Sequence, residues 1–199
     1  MPLLEPIVEY INNYIKSSLS TKDLQVNKLF GIADKCVADT PEAGVAVPVR
    51  PFVLDNDGFG EYIEYNDTTN LTVYHRVISN QYLDDQAVTG GDKKSKLCIT
   101  EMIMIVCANR KRLQLSSCKL EAIISSDFPQ SLPETLRKQL HLSKCSLILT
   151  GSVLDQLQVF AGEYTSVPFF IKPHQAYFSI RYRIQSSMRP GCLKACCDD

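Results

Sequence analysis

The sequence lacks an excess of charge of either sign, and it lacks an apolar run of membrane length. Its 199 residues contain 21 basic and 22 acidic side chains, which argues against binding of nucleic acid through bulk basicity. The longest apolar run, from Met102 to Ala108, is far shorter than the ~18–20 residues of a membrane helix. The N-terminus lacks the basic start of a secretory signal. We therefore expect a soluble protein with no membrane partner.

The sequence has eight cysteines but little sign of a metal site or a disulfide framework. Four of them lie in apolar or helical contexts, which favours buried free thiols and synthesis in a reducing environment. The C-terminal cysteines Cys192, Cys196 and Cys197 lack a second ligand pair at the spacing that zinc needs. We expect no metal, no cofactor, and a tail of exposed, oxidisable thiols.

The sequence also lacks the common catalytic motifs. It contains neither a phosphate-binding glycine loop nor a G-x-S-x-G nucleophile elbow, and its three histidines are far apart. A Cys–His pair stays open, because nucleophile and base need to meet only in the fold. The candidate nucleophiles are Cys36, Cys98 and Cys107, and the candidate bases are His75 and His174. Enzymes of this size usually show an ordered cluster of ionisable residues, so we expect that this protein is not an enzyme.

The spacing of apolar residues predicts one α+β domain over residues 1–187. Apolar positions recur at three- and four-residue intervals over residues 2–19, which is typical of an amphipathic helix. Dense β-branched and apolar residues from Leu97 to Asn109 predict a central strand that is covered on both faces. Strands and helices cluster along the chain instead of alternating. This order favours a mostly antiparallel sheet with two helices packed on one face.

Two helices are predicted after the long strand. Ser116 or Ser117 can cap a helix that runs to about Asp127. Ser131 and Glu134 have the spacing of a capping box, in which each side chain satisfies a backbone amide at the start of a second helix. We expect both helices to pack on the sheet.

The remaining segments predict further strands, a loop and a tail. Residues 71–77 and the alternating residues 176–184 are strand-like, whereas two prolines confine a strand at 45–53 to a sheet edge. Residues 81–96 are polar, contain two adjacent glycines, and predict a projecting loop or hairpin tip. Residues 188–199 show no pattern and form the cysteine-containing tail.

Two charged groups of opposite sign are the candidate partner-binding residues. The acidic group lies within residues 55–67 and fails the ligand pattern of a calcium-binding EF-hand, so a solvated loop is favoured there. The acidic group consists of Asp55, Asp57, Glu61, Glu64 and Asp67. The basic group consists of Lys93, Lys94, Lys96, Arg110, Lys111 and Arg112, at the two ends of the long strand. Contact with a partner and simple solvation are equally open for the basic group.

The order of these elements resembles bacteriophage tail-terminator and related head–tail joining (neck) proteins. The matching features are the helix at 2–19, the loop at 81–96, the strand Cys98 to Asn109 with a helix directly after it, and the final strand Tyr177 to Ile184. The resemblance rests on element order over most of the first 187 residues. It implies a structural protein whose copies close into a ring, commonly a hexamer, with the tail tube and the head connector as partners. It also implies a location in the virion after synthesis in the host cytoplasm.

The resemblance suggests two roles for the charged groups. In one, the acidic group of one subunit meets the basic group of its neighbour and sets the register of the ring. In the other, the acidic group lines a lumen, where negative charge keeps passing DNA from binding. The sequence does not choose between them. Two other functions also stay open, a small cytosolic Cys–His hydrolase and a protein-binding module.

Overall fold

The structure, a computed structural model, describes residues 3–26, 28–35, 51–54, 60–63, 69–84, 96–159 and 174–188. Five helices and seven strands lie within these residues. The helices are α1 (Leu4–Ser20), α2 (Arg110–Leu113), α3 (Ser117–Ser126), α4 (Glu134–Gln139) and α5 (Gln156–Val159). The strands are β1 (Lys28–Lys35), β2 (Pro51–Leu54), β3 (Gly60–Tyr62), β4 (Leu71–Asp84), β5 (Lys96–Asn109), β6 (Leu142–Val153) and β7 (Gln175–Met188).

The described strands form one sheet in the order β3-β2-β1-β4-β5-β7-β6. Five of them, β1, β4, β5, β7 and β6, make the main sheet, and β1 continues into a ribbon with β2 and β3. Every neighbouring pair is antiparallel except β1 and β4. The prediction of an α+β fold with a mostly antiparallel sheet is confirmed.

The central position of β5 is confirmed. This strand pairs with β4 on one side and β7 on the other, and its residues from Met102 to Ala108 are buried. Their side chains alternate between two cores, so an uninterrupted apolar run is what a strand covered on both faces needs.

The predicted loop at 81–96 is too long. Residues Gln81 to Asp84 belong to β4 and Lys96 begins β5, so that only 85–95 of that segment lie outside the described residues. Polar residues are typical of a loop, but they also occur on the solvent-facing side of a strand whose backbone pairs with a neighbouring strand. Gln81, for example, is exposed and lies opposite Ile99. Of the predicted strand at 45–53, β2 contains the end, and residues 45–50 lie outside the described part of the chain.

A layer of helices covers one face of the sheet. Helix α1 begins and ends within two residues of its predicted bounds, and its apolar stripe is buried against the sheet. Leu120 and Ile124 of α3 join the same core, and Leu136 and Leu140 around α4 pack at its border. Full burial of one Leu or Ile side chain contributes about 1.5–3 kcal/mol, so this stripe fixes α1 firmly on the sheet.

The two predicted helix starts have different outcomes. The Ser116 side chain caps α3 by accepting a hydrogen bond from the Lys119 amide at 3.3 Å, as predicted. The capping box at Ser131 is wrong, because α4 starts after Pro133, which has no capping side chain. Ser131 instead forms a β-bridge with Ser146 of β6, an extended conformation that leaves it outside the helix.

A second, smaller core lies on the reverse face of the sheet. Tyr74, Ile105 and Tyr177 pack there against residues of β1 and α5. Helix α5 contributes Val159 to this core. None of the helices that the structure describes is long and apolar enough to cross a membrane.

Candidate functional site

The only fully buried histidine among the described residues, His75, links the helix layer to the sheet. Its Nε2 lies 2.9 Å from Asn12 Oδ1 of α1, and its Nδ1 lies 2.8 Å from the Tyr182 hydroxyl of β7. Asn12 Nδ2 donates in turn to the carbonyl oxygen of Phe30 in β1 at 2.9 Å. Four elements are therefore joined by one buried chain of hydrogen bonds.

The donors and acceptors of this chain assign one tautomer to His75. The amide of Asn12 points its NH₂ group at Phe30, so its oxygen must accept from Nε2 of the imidazole. Nδ1 is then the acceptor for the Tyr182 hydroxyl. Burial lowers the pKa of His75 to about 3, so the ring is neutral and this pattern holds at neutral pH. The chain is a fully satisfied structural network, the role most often found for a buried histidine.

The fold keeps His75 apart from Cys98 and Cys107, two of the three candidate nucleophiles. His75 and Cys107 lie on opposite faces, since His75 contacts α1 and Cys107 belongs to the core of the reverse face. Cys98 lies opposite Tyr82, whereas His75 lies opposite Met104, a separation of about 20 Å along β5 at the rise of a strand. Burial also raises the pKa of Cys107 to about 12, which keeps it a thiol. His174 lies just before β7, and Cys36 lies outside the described residues.

A groove of about 570 Å³ lies where the C-terminal ends of α1 and α3 meet. Asp127 accepts hydrogen bonds there from Ser18 and Lys22, and Lys22 Nζ lies 3.3 Å from Ser18 Oγ. A serine beside a lysine can form a catalytic dyad, but that chemistry needs a neutral lysine. Here the Lys22 ammonium is already engaged in an ion pair with Asp127, so the arrangement is not that of a catalytic dyad. The cluster is an ion pair that joins the ends of two helices.

The charged residues predicted to bind partners do not form one surface. Arg110, Lys111 and Arg112 are exposed and form the single turn of α2. Lys96 begins β5 at the opposite end of the sheet, about 40 Å away at the rise of a strand. The two ends of the basic group would therefore contact different neighbours.

The acidic group is mostly beyond the described residues. The backbone of Glu61 lies in β3, at one outer edge of the sheet. The other predicted members, and two of the basic group, lie outside the described part of the chain: Asp55, Asp57, Glu64, Asp67, Lys93 and Lys94.

The described residues include five large hydrophobic side chains that are exposed: Tyr14, Ile78, Tyr82, Ile148 and Leu154. Ile78 and Tyr82 lie on β4, which has β1 and β5 as its neighbours, whereas Ile148 lies on the outermost strand β6 and Leu154 follows β6 directly. Isolated exposed apolar residues are ordinary in folded proteins.

The outer side of β6 is covered over only part of its length. The Leu147 amide donates to the Gln130 carbonyl oxygen at 2.8 Å, and Ser146 bridges to Ser131. The chain between α3 and α4 thus covers the first half of β6. From Ile148 onward, β7 pairs with the inner side of β6, and no described strand pairs with its outer side.

Sequence reasoning did not predict the exposure of Ile148, because that exposure depends on β6 being the outermost strand, which is a property of strand order. No model of a known protein family matches the chain, and no curated protein matches it. The function is therefore inferred from geometry.

Proposed function

We propose that this protein is a structural subunit of a tailed phage or phage-derived particle, whose copies form a ring that joins the tail tube to the head connector. The observation that carries the proposal is the order of the elements. A long helix comes first, a long antiparallel hairpin of β4 and β5 follows, helices come directly after β5, and the last strand returns to the interior of the sheet. The resemblance to tail-terminator and neck proteins rests on the first helix, the hairpin, the helices after β5 and the final strand.

The shape of the sheet supports this role. A subunit of a closed ring must offer two different surfaces to its two neighbours, and those surfaces must face in roughly opposite directions. The outermost strand β6 carries the exposed Ile148, and the helices α1, α3 and α4 lie on one face of the sheet. The virion, with synthesis in the host cytoplasm, is the location that such a role requires.

Two alternatives receive less support. A Cys–His hydrolase would pair Cys36, Cys98 or Cys107 with His75 or His174. The described structure separates Cys98 and Cys107 from His75, by distance or by the sheet itself. A protein-binding module would use the same outermost strand, but with a partner other than its own copies. The oligomeric state separates that module from a ring subunit.

The test is the mass and the shape of the purified protein. Native mass spectrometry and light scattering over a range of concentrations would give the number of subunits, and negative-stain microscopy would show the shape. We expect closed rings of uniform size, with six subunits as the resemblance implies. A chain that stays monomeric up to millimolar concentration would contradict the proposal.

A further inference from the structure

We infer that neighbouring copies in the ring join their sheets, with residues 151–153 of β6 in one subunit paired to β3 of the next. The inference rests on the proposed function and deepens it, because it names the two surfaces that meet. β3 and β6 are the outermost strands of the described sheet, so they lie at its opposite ends. A ring of identical copies needs two different surfaces placed in this way.

The second half of β6 lacks the residues that usually protect a sheet edge. The first half contains Lys144 and is covered by the chain at Gln130 and Ser131. From residue 147 to residue 154 the sequence contains no charged residue and no proline. Proteins usually protect an outer strand with lysine, proline or a covering segment, because its free backbone groups pair readily with another strand. We therefore expect another strand to cover this part of β6 in the assembled particle.

Apolar side chains flank the unprotected segment on both sides. Ile148 lies before it and Leu154 directly after it, with 40% and 38% of their surfaces exposed in the single chain. Ser152, in the middle of the segment, is exposed as well. A paired strand from a neighbour would remove apolar surface from water at both ends of the contact, which stabilises the pairing.

An irregularity in β6 sets the length of the proposed pair. The register of β6 against β7 shifts between Leu149 and Gly151 and is regular over residues 151–153. A bulge interrupts the ladder of backbone hydrogen bonds, so the new pair is confined to the three residues after it. β3 (Gly60–Tyr62) also has three residues. The two segments therefore match in length.

The two segments lie at nearly the same height in the sheet. Ser152 lies opposite Ile180, Ile180 opposite Met104, and Met104 opposite His75. His75 lies opposite Ile32 of β1. One cross-strand row therefore connects the middle of the β6 segment to β1.

The next residue of β1 leads to β3. Ala33 lies opposite Val53, and Val53 lies opposite Glu61, the middle residue of β3. The centres of the two segments thus differ in height by about one residue, or about 3.3 Å. Copies joined by two different surfaces close into a ring only when the contact adds no net shift along the ring axis. Segments at nearly equal height meet this condition when the strands run along that axis.

The strand directions also fit. β6 runs opposite to β4, because each neighbouring pair from β4 through β5 and β7 to β6 is antiparallel. β1 is parallel to β4, and two antiparallel steps through β2 give β3 the direction of β1. β3 and β6 therefore run in opposite directions. When two copies stand side by side in the same orientation, these strands form an antiparallel pair, the commoner type.

A photo-cross-linker in the full-length protein tests the contact directly. Thr150→benzoylphenylalanine places the reactive ketone beside the proposed segment, at an exposed position. Rings assembled from isotopically light and heavy subunits allow mass spectrometry to distinguish links between copies from links within one copy. We expect links from position 150 to residues 51–54 or 60–63 of another copy. Ser146→benzoylphenylalanine is the matched control on the covered half of β6, and it should link within its own chain near Gln130.

A matched pair of lysine variants measures how much the segment contributes to assembly. Ser152→Lys introduces a charge at the centre of the segment, and Ser146→Lys makes the same change on the covered half of the strand. Both serines are exposed, so both variants should fold, which circular dichroism checks. Light scattering and native mass spectrometry over a concentration series measure ring formation. We expect Ser152→Lys to require an about tenfold higher concentration than the wild type, and Ser146→Lys to match the wild type.

The outcomes separate this inference from the ring proposal. Wild-type rings without a link from position 150 to residues 51–54 or 60–63 of another copy would overturn the inference and leave the ring standing. Links from position 150 to β6 of another copy would do the same, because they would indicate a two-fold contact between identical edges. A wild type that forms no ring would overturn both.

Discussion

Asn12 of α1 and His75 of β4 are joined by a hydrogen bond of 2.9 Å inside the core, although 63 residues separate them along the chain. The bond belongs to a chain that continues through Tyr182 on one side and the Phe30 carbonyl oxygen on the other. Because the first helix is anchored to three strands at this point, its position on the sheet is fixed by specific polar partners as well as by apolar burial.

Replacement of Asn12 by leucine should destabilise the protein clearly. The change preserves approximate volume but leaves His75 Nε2 and the Phe30 carbonyl oxygen without partners, at about 1–3 kcal/mol for each buried orphan. The free energy of unfolding from denaturant titration measures the loss. Asn13→Leu is the matched control, since Asn13 is exposed on the same helix and its replacement should change stability little. Equal effects of the two changes would contradict the role of the buried bond.

Stability should fall as the pH drops from about 6.5 to about 3. Burial lowers the pKa of His75 to about 3 in the folded protein from 6.5, so the unfolded chain takes up the proton first. The contribution of His75 is therefore complete above pH 6.5 and is lost as the pH falls towards 3. The loss is on the order of 1.4 kcal/mol for each pH unit. Unfolding free energies between pH 7 and pH 5, where most carboxylates stay ionised, would measure it.

His75→Gln is the control for this pH dependence. Glutamine does not titrate, so the variant should be less stable at pH 7 and nearly insensitive to pH between 7 and 5. The same slope in both proteins would assign the pH dependence to other groups.

The long elements were predictable from sequence because their signals are local. The repeat of apolar residues gave α1, the apolar density gave β5, and Ser116 gave the start of α3. The second half of β4 was missed, since its polar residues resemble a loop until a neighbouring strand supplies the pairing. The His75 network and the exposure of Ile148 depend on strand order and register, which only the assembled sheet determines.

The buried thiols should be unreactive in the native protein. Burial raises the pKa of Cys107 to about 12 and that of Cys145 to about 11, and alkylation requires the thiolate. Cys118 is exposed on α3 and serves as the internal reference. Brief treatment with iodoacetamide at pH 7.5, followed by peptide mass spectrometry, should modify Cys118 well before the other two. Denaturation should remove the difference. Rapid native modification of Cys107 would instead revive a nucleophilic role for it.

The Lys22–Asp127 ion pair between the ends of α1 and α3 should weaken in acid and in salt. The hydrogen bonds from Lys22 and Ser18 lower the pKa of Asp127, so this carboxylate stabilises the fold at neutral pH and loses that effect as the pH falls through its lowered pKa. Asp127→Asn should therefore reduce stability slightly at low ionic strength and less in 1 M salt, because salt screens exposed ion pairs. Glu134→Gln, which removes the exposed pair with Lys138 inside α4, is the control for a salt bridge that joins no two elements.

The two ends of the basic group should act separately in assembly, because about 40 Å of β5 lies between them. Charge reversal at Lys93, Lys94 and Lys96 should abolish the ring and leave a folded monomer, if these residues meet the acidic group of a neighbour. Reversal at Arg110, Lys111 and Arg112 alters the other end of the sheet. This variant should therefore not show the same loss of the ring, and it should not restore the ring when it is mixed with the first variant. Light scattering on the two triple variants and their mixture would decide this. Rings that survive reversal at residues 93, 94 and 96 would contradict the acidic–basic contact between neighbours.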